Sequence, residues 1–427
     1  MLFKPLICLL IHVLFTRHVA QGATSALDGL VIRNEPGTWF SLKASMPVVF
    51  RVSARDYRMW AYGRELNFSS QYANSSFGRS GYFTSLDGLH WNPVPGDGVL
   101  GSVLDPRRGT DYFDGGALGF TDVKYANGTF YAWYQAQPDA ALTNATDLSK
   151  LRAGVAVSHD GIHWSRCNGS AQAQGALLDV TPGIDNLIFG PHIFDFSSAS
   201  VMSDTAEAKL PPANASLPVP ECSQLTPIEG NFTMLYHSLA VTPKLQLQQL
   251  TAKSTDLLHF NKTGPLDGIS PSKDNSSFDS VGAADGRIVK IPGGYLYFYE
   301  ATDVNFSYAI GLARSANGVH FVKDTSCTGV PGGPVLTPST NASAFDASAT
   351  GTPFPLLQPN GEIWLYYVGF GLQPVLKGAA SSEGSFASQI GLAMSVPNAA
   401  GKQDYCKFVR APPVFDAPAT YNELGTA

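Results

Sequence analysis

One seven-residue phrase recurs along the chain and constrains its fold more than any other feature. Each copy begins with Ser, carries Asp or Asn at its third position, and ends with His followed by Trp or Phe. The copies occupy residues 85–91, 158–164, 254–260 and 315–321, and a degenerate fifth copy ends at Ser395. Repeats about 60–100 residues apart in a β-rich sequence predict a propeller with one blade per repeat.

The phrase is typical of a hairpin turn. Asp-Gly and Asn-Gly favour tight turns because both residues tolerate positive φ, and short apolar runs precede the turn. We therefore predict that each copy joins the two outer strands of a blade. Its histidines (His90, His163, His259 and His320) would then lie on separate turns, too far apart to bind one metal ion.

Aromatic strand patterns form a second repeated element. They occupy residues 58–62, 130–134, 232–236, 295–299 and 363–367, and turn residues such as Asn360-Gly361 bound them. Five such patterns predict an all-β, five-bladed propeller with four antiparallel strands per blade.

Length and composition exclude several classes of protein. The 427 residues suffice for a large core, and the regular repeats favour a single domain over residues 23–427. The net charge of −6, without any Lys/Arg block, argues against a nucleic-acid or anionic-membrane partner. We expect a monomer.

The N-terminus predicts export. Lys4, an apolar stretch and then small residues make residues 1–22 a secretory signal peptide, too short for a membrane span. No later segment is apolar enough to span a membrane, so we expect a secreted protein. The chain also carries many N-glycosylation sequons, at Asn67, Asn74, Asn127, Asn144, Asn168, Asn214, Asn231, Asn261, Asn275, Asn305 and Asn341.

Four cysteines remain after removal of the signal peptide. An even number in an exported protein predicts two disulfides, with three possible connectivities. We favour Cys167–Cys222 and Cys327–Cys406, which close the shorter loops. A cysteine metal site is not expected because no Cys-x-x-Cys pair occurs.

A third repeated feature concerns function. Asp114, Asp279 and Asp346 each follow Phe and precede small residues, 20 or 21 positions before the last Tyr of an aromatic strand, and Asp185 takes the same place in the third repeat. In a propeller the first strand of each blade lines the central channel. Four carboxylates would then approach one axis.

Two interpretations of these aspartates stay open. Each Asp caps a local turn, or several converge in one pocket where like charge drives their pKa values apart. The second arrangement suits glycosidic cleavage, which needs one acid and one base. Asp114, Asp185 and Asp279 are the catalytic candidates, and Asp346 is a candidate for substrate binding.

Other residues complete the predicted site. Glu300 follows the fourth aromatic strand, and neighbouring tyrosines would raise its pKa, so it is our choice of acid. His192 and His237 are candidates to orient a sugar, and Trp133 is a candidate to stack on one. No cofactor is expected, although a structural channel ion such as calcium stays open.

These motifs resemble the five-bladed propeller glycoside hydrolases, which include arabinanases, β-xylosidases, α-arabinofuranosidases, invertases and levansucrases. The aromatic strands, the Ser-x-Asp-Gly-Ile-x-Trp turn at residues 158–164 and the Asp-led strands carry the resemblance, which covers nearly the whole mature chain. It implies three channel acids, and Asp114 fits the second by local pattern. In the first repeat no Asp leads directly into the strand that begins at Pro47, where that group has its base.

The sequence thus favours a secreted glycosidase acting on a poly- or oligosaccharide, with inversion. A non-catalytic, lectin-like propeller is the first alternative, and an extracellular interaction scaffold is the second. The arrangement of carboxylates in the channel distinguishes them, because an inverting enzyme needs two carboxyl groups about 6.5–9.5 Å apart.

Overall fold

The computed structural model describes residues 25–65, 78–139, 150–169, 175–195, 210–225, 228–240, 246–374 and 386–415. The predicted signal peptide and the sequons at Asn67, Asn74 and Asn144 lie outside these residues.

Short antiparallel strands dominate the described chain. A first strand, β1 (Leu30–Ile32), precedes groups of consecutive strands that pair in chain order. Group I contains β2 (Lys43–Ser53), β3 (Asp56–Arg64), β4 (Gly78–Ser85) and β5 (Trp91–Val94). Group II contains β6 (Ala117–Ala126), β7 (Thr129–Gln137), β8 (Arg152–Ser158) and β9 (Ser165–Cys167). Group III contains β10 (Phe189–Asp195), β11 (Phe232–Ala240), β12 (Gln246–Ser254) and β13 (Asn261–Pro265).

The remaining strands continue this pattern. Group IV contains β14 (Gly282–Ile291), β15 (Gly294–Thr302), β16 (Tyr308–Ser315) and β17 (Val322–Lys323). Group V contains β18 (Ala349–Leu357), β19 (Ile363–Pro374), β20 (Phe386–Ser395) and β21 (Phe408–Arg410). Two single 3₁₀ turns occur in the described chain, at Val99–Gly101 and Cys222–Gln224. The predicted all-β class is confirmed.

These groups form three sheets. Parallel contacts join β2 to β20 and β12 to β14, so groups I and V share one sheet, groups III and IV share another, and group II stands alone. No sheet closes on itself in the described residues, so the closed ring of five blades stays a prediction. Strands β1 and β21 both pair with β20, which brings early and late segments of the chain onto one strand.

The repeated phrase forms the predicted turn. In its first copy, the Ser85 hydroxyl accepts the backbone N–H of Gly88 at 2.8 Å, and Asp87 accepts the N–H groups of Leu89 and His90. The imidazole of His90 contacts the same aspartate at 2.8 Å. The same Ser and Asp or Asn contacts recur at the other three copies. In the first three copies the histidine contacts the aspartate of its own turn, whereas His320 contacts Asp267, in the segment between β13 and β14.

A β-bulge interrupts the first strand of every group. The pairing register shifts between Ser45 and Val48, Phe120 and Asp122, Phe189 and His192, Ala284 and Arg287, and Gly351 and Phe354. In four of these bulges one residue has positive φ: Met46, Gly190, Asp285 and Thr352. A bulge redirects a side chain out of the regular alternation, so these positions can present groups that a regular strand would bury.

Cross-links and surface features agree with several expectations. Both predicted disulfides, Cys167–Cys222 and Cys327–Cys406, are present. Seven described sequon asparagines are exposed and Asn341 is half-buried. Among the described residues, no helix has the length and apolar character that a membrane crossing requires.

Candidate active site

The four repeated aspartates lie in four similar ion-paired clusters. Each carboxylate accepts a hydrogen bond from the Tyr hydroxyl of its group's second strand and contacts a cation of its fourth strand. The clusters are Asp114 with Tyr134 and Arg166, Asp185 with Tyr236 and Lys262, Asp279 with Tyr299 and Lys323, and Asp346 with Tyr367 and Arg410. Arg107 also contacts Asp114, at 2.6 Å.

These contacts bear on the expectation of one crowded acidic cavity. Each carboxylate has a cation of its own group within ion-pair distance, so its charge is balanced locally. A buried carboxylate held by a cation and a tyrosine is a structural element. The contacts favour the local interpretation of these aspartates, and catalytic roles for Asp114, Asp185 and Asp279 remain untested.

Trp133 cannot stack on a sugar in this structure. Its side chain is fully buried in the core cluster of groups II and III, and its ring stacks on Tyr131. This burial argues against the predicted substrate-binding role of Trp133, which lies in a strand buried over almost its whole length.

Group IV brings two other carboxyl groups together. Glu300 in β15 pairs across the ladder with Ala284, and Asp285 is the next residue, in the bulge of β14 with φ +46°. Asp285 is buried, whereas Glu300 is partly accessible. Burial and the charge of Asp285 raise the pKa of Glu300 to about 8, which leaves this carboxyl protonated at neutral pH.

Two glycines of neighbouring groups make room for these carboxyl groups. A Cβ at Gly190 would lie 2.5 Å from Oδ1 of Asp285, and a Cβ at Gly351 would overlap Oε2 of Glu300. Gly190 also has φ +59°, which favours glycine. The carboxyl group of Asp285 therefore extends toward β10, and that of Glu300 toward β18.

A backbone hydrogen bond fixes the orientation of Glu300. Its Oε2 accepts the N–H of Thr352 in the bulge of β18 at 2.9 Å. Because this oxygen is already an acceptor, the proton of the neutral acid belongs on Oε1. Gln135 holds the equivalent position in group II, where its Oε1 accepts the N–H of Gly190 at 2.9 Å.

The imidazole of His237 lies beside this pair. It follows Tyr236 as Glu300 follows Tyr299, and its Nδ1 lies 3.8 Å from Oδ1 of Asp285. Burial lowers the pKa of His237, so the imidazole is neutral at pH 7. The sequence-based prediction of His237 thus selected a residue beside the acid pair.

A buried polar layer lies on the same first strands, two or three residues after the bulge positions. His192 Nδ1 lies 2.8 Å from Oδ2 of Asp122, which also accepts the N–H of Ile193 at 2.7 Å. Arg287 donates from Nη2 to the carbonyl oxygen of Thr121 in β6 at 2.5 Å. Burial lowers the pKa of His192 to about 4, so it too is neutral at pH 7. His192 is only 2% exposed, so its side chain is part of this buried layer.

Among the described residues, the one cluster with metal-ligand geometry is Asp324, Cys327 and Cys406. Its two sulfur atoms form a disulfide and cannot serve as thiolate ligands.

Sequence analysis missed Asp285. Its signal is the dipeptide Asp285-Gly286, a turn pair inside an otherwise regular strand pattern, which is typical of a bulge. The repeated Phe-Asp pattern instead selects Asp279, six residues earlier.

Comparisons with known proteins agree with this architecture. No protein-family model matches the chain, and no curated protein matches it in sequence. Solved structures do: a thermostable family-43 glycoside hydrolase aligns with a TM-score of 0.53 and 15% identity over 88% of this chain and 95% of its own. An α-L-arabinofuranosidase from Lactobacillus brevis aligns with a TM-score of 0.55 and 12% identity over 88% and 96%.

A further solved structure, named only as a glycoside hydrolase, gives a TM-score of 0.57 and 14% identity over 91% of this chain and 95% of its own. At sequence identities this low, the similarity supports a shared fold but not a shared activity. The resemblance inferred from the sequence motifs is thereby confirmed: the chain has the fold of the propeller glycoside hydrolases.

Proposed function

We propose that the protein is a secreted five-bladed propeller glycosidase in which Glu300 is the general acid and Asp285 is the general base. The single observation that carries this proposal is the pairing of a protonated and an ionisable carboxyl group in group IV, where the pKa of Glu300 is about 8. Glycosidic cleavage needs such a pair.

The chemistry follows from the two environments. Oε1 of Glu300 donates its proton to the glycosidic oxygen as the bond from that oxygen to the anomeric carbon breaks. Asp285 removes a proton from water, and the resulting hydroxide attacks the anomeric carbon from the opposite face, with inversion. Neutral His237, 3.8 Å from Asp285, is a hydrogen-bonding group for the water or for a sugar hydroxyl.

The class of substrate is a poly- or oligosaccharide. Two features support this class of substrate: the fold shared with glycoside hydrolases and the partial accessibility of Glu300. The two disulfides and the exposed sequons support secretion, in line with the signal peptide predicted over residues 1–22.

A non-catalytic carbohydrate-binding protein is the second candidate. It is favoured by one observation: of the bulge positions Met46, Phe120, Gly190, Asp285 and Thr352, one carries a carboxylate. The related enzymes are expected to distribute three acids over three blades.

A hydrolysis screen tests the proposal. Purified protein is incubated with aryl furanosides, aryl pyranosides and plant polysaccharides, and proton NMR follows the anomeric configuration of the first product. We expect hydrolysis with inversion, abolished in Asp285→Asn. Binding of a glycan by calorimetry without any hydrolysis would instead favour the second candidate.

A further inference from the structure

The bulge that carries Asp285 is built differently from most of its counterparts. The second bulge residue is proline in β2, β10 and β18 (Pro47, Pro191 and Pro353) but Gly286 in β14. Proline has no N–H to satisfy and restricts its own backbone. Gly286 offers neither property, so its peptide group needs other restraints.

A proline cannot replace Gly286, because the ring of Tyr297 occupies the space that its Cβ would need. A Cβ at Gly286 would lie 2.4 Å from the ring of Tyr297, which stacks on Tyr299 with ring centroids 5.8 Å apart. The Tyr297 hydroxyl donates to Oε1 of Gln249 in β12 at 2.8 Å. Each of these contacts requires the residue type at the other end, so three positions depend on one another: Gly286, Tyr297 and Gln249.

Two buried side chains hold opposite sides of the Gly286 residue. Oε1 of Gln249 accepts the Gly286 N–H at 3.3 Å, and Nη1 of Arg287 donates to the Gly286 carbonyl oxygen at 3.4 Å. Both side chains are anchored elsewhere: Gln249 donates to the carbonyl of Tyr236 at 2.9 Å, and Arg287 donates to that of Thr121. Gln249 and Arg287 are each at most 3% exposed.

We infer that Gln249 and Arg287 are positioning residues that hold Asp285 in its left-handed conformation and so direct its carboxylate toward the reaction centre. Positive φ at a non-glycine residue is unfavourable and persists when the surroundings enforce it. Gln249 does this from β12, and Arg287 does it from β14 itself, anchored on the Thr121 carbonyl of β6. The catalytic part of this inference rests on the proposed function; the conformational part does not.

Gln249→Met is the primary test, because it keeps the length of the side chain and removes the acceptor for Gly286. We expect kcat on a hydrolysed glycan to fall about 10- to 100-fold, the scale of a small misplacement of a reacting group, with KM within about twofold. A crystal structure of the variant should show Asp285 moved from φ +46°.

Ser80→Ala is the matched control. The Ser80 hydroxyl accepts the N–H of Phe120 at 2.8 Å, a comparable contact at the bulge of β6, whose Asp122 carboxylate is held by His192 and Lys124. We expect this variant to lose stability while keeping the kcat of the native protein. Equal losses of kcat in Ser80→Ala and Gln249→Met would overturn the inference, since the effect would then be general destabilisation.

Arg287 variants test the other clamp and cover a failure of Gln249→Met to fold. We expect kcat to decrease from native protein to Arg287→Lys, which keeps the charge and one donor group, and further to Arg287→Met. Native kcat in Arg287→Met, or an unchanged Asp285 conformation in crystals of the Gln249 and Arg287 variants, overturns the inference. If no glycan is hydrolysed by the native protein, the proposed function fails, yet the crystal structures still decide whether the clamps hold Asp285.

Discussion

Replacing Glu300 by Gln tests the acid assignment through activity and stability together. Gln retains an oxygen acceptor for the Thr352 N–H, and Gln135 already fills the equivalent position in group II. The variant should therefore fold normally. It lacks a transferable proton, so we expect kcat to fall about 10²- to 10⁴-fold on a glycoside with an alkyl leaving group.

The loss should depend on the leaving group. A nitrophenolate departs with little protonation, whereas a sugar alkoxide needs a full proton. We expect a much smaller loss on the nitrophenyl glycoside than on the matching disaccharide. In the native protein, the basic limb of the kcat/KM profile should fall near the pKa of Glu300, about 8, and the variant should lack this limb.

Stability gives an independent measurement. Because the pKa of Glu300 rises from 4.5 in the unfolded chain to about 8, the folded state retains a proton that the unfolded state has released between these values. Folding of the native protein therefore becomes less favourable as pH rises through this window, by at most about 1.36 kcal/mol per pH unit and about 5 kcal/mol in all. The variant escapes this penalty.

Urea denaturation of both proteins from pH 5 to pH 9 measures the difference. We expect Glu300→Gln to gain stability relative to the native protein as pH rises toward 8 and to stay level above it. Parallel stability curves, or activity within threefold of native on the disaccharide, would refute the assignment of Glu300 as a buried protonated acid.

Three further outcomes are expected. Gly190→Ala introduces a methyl group 2.5 Å from Oδ1 of Asp285 and a positive-φ alanine, so kcat should fall about tenfold or more and crystals should show a displaced carboxylate. Asp346→Asn leaves the half-buried Arg410 without its charge partner, so urea denaturation should show a loss of about 3 kcal/mol, the lower end for a buried pair, while KM is unchanged; a selective loss of kcat would instead support a role at the site. Removing the Cys327–Cys406 disulfide by two alanines should cost about 2–5 kcal/mol in the same assay, and unchanged stability would contradict its structural role.

The repeated elements were predictable because local chemistry specifies them. The Ser and Asp of each turn phrase satisfy backbone groups within five residues, so their spacing alone predicts the hairpin. The aromatic strands and the two disulfides followed from similarly simple patterns. These patterns predicted the class of fold and the positions of its turns.

The site was less accessible to such reasoning. The cations that neutralise the repeated aspartates, such as Arg166 and Lys323, lie on fourth strands only two to five residues long, which have no periodic signal. Asp285 faces its neighbours because a bulge turns it there, and period-two alternation places such a residue wrongly. Glu300 could be predicted because it lies on β15, a regular strand, directly after the repeated aromatic pattern.

The pairing of β1 and β21 with the same strand has a consequence for how the protein is made. Asn34 donates its backbone N–H to Gln389, 355 residues later, so one end of the chain must wait for almost all of the rest before it can dock. During synthesis, groups II, III and IV can pair their own strands as they emerge, whereas the sheet of groups I and V is completed last. Contacts this distant in sequence slow folding. The nascent chain therefore passes through a stage in which β1 and one edge of β2 are unpaired because β20 has not yet been made, and an unpaired edge of this kind is open to chaperones or to a second chain.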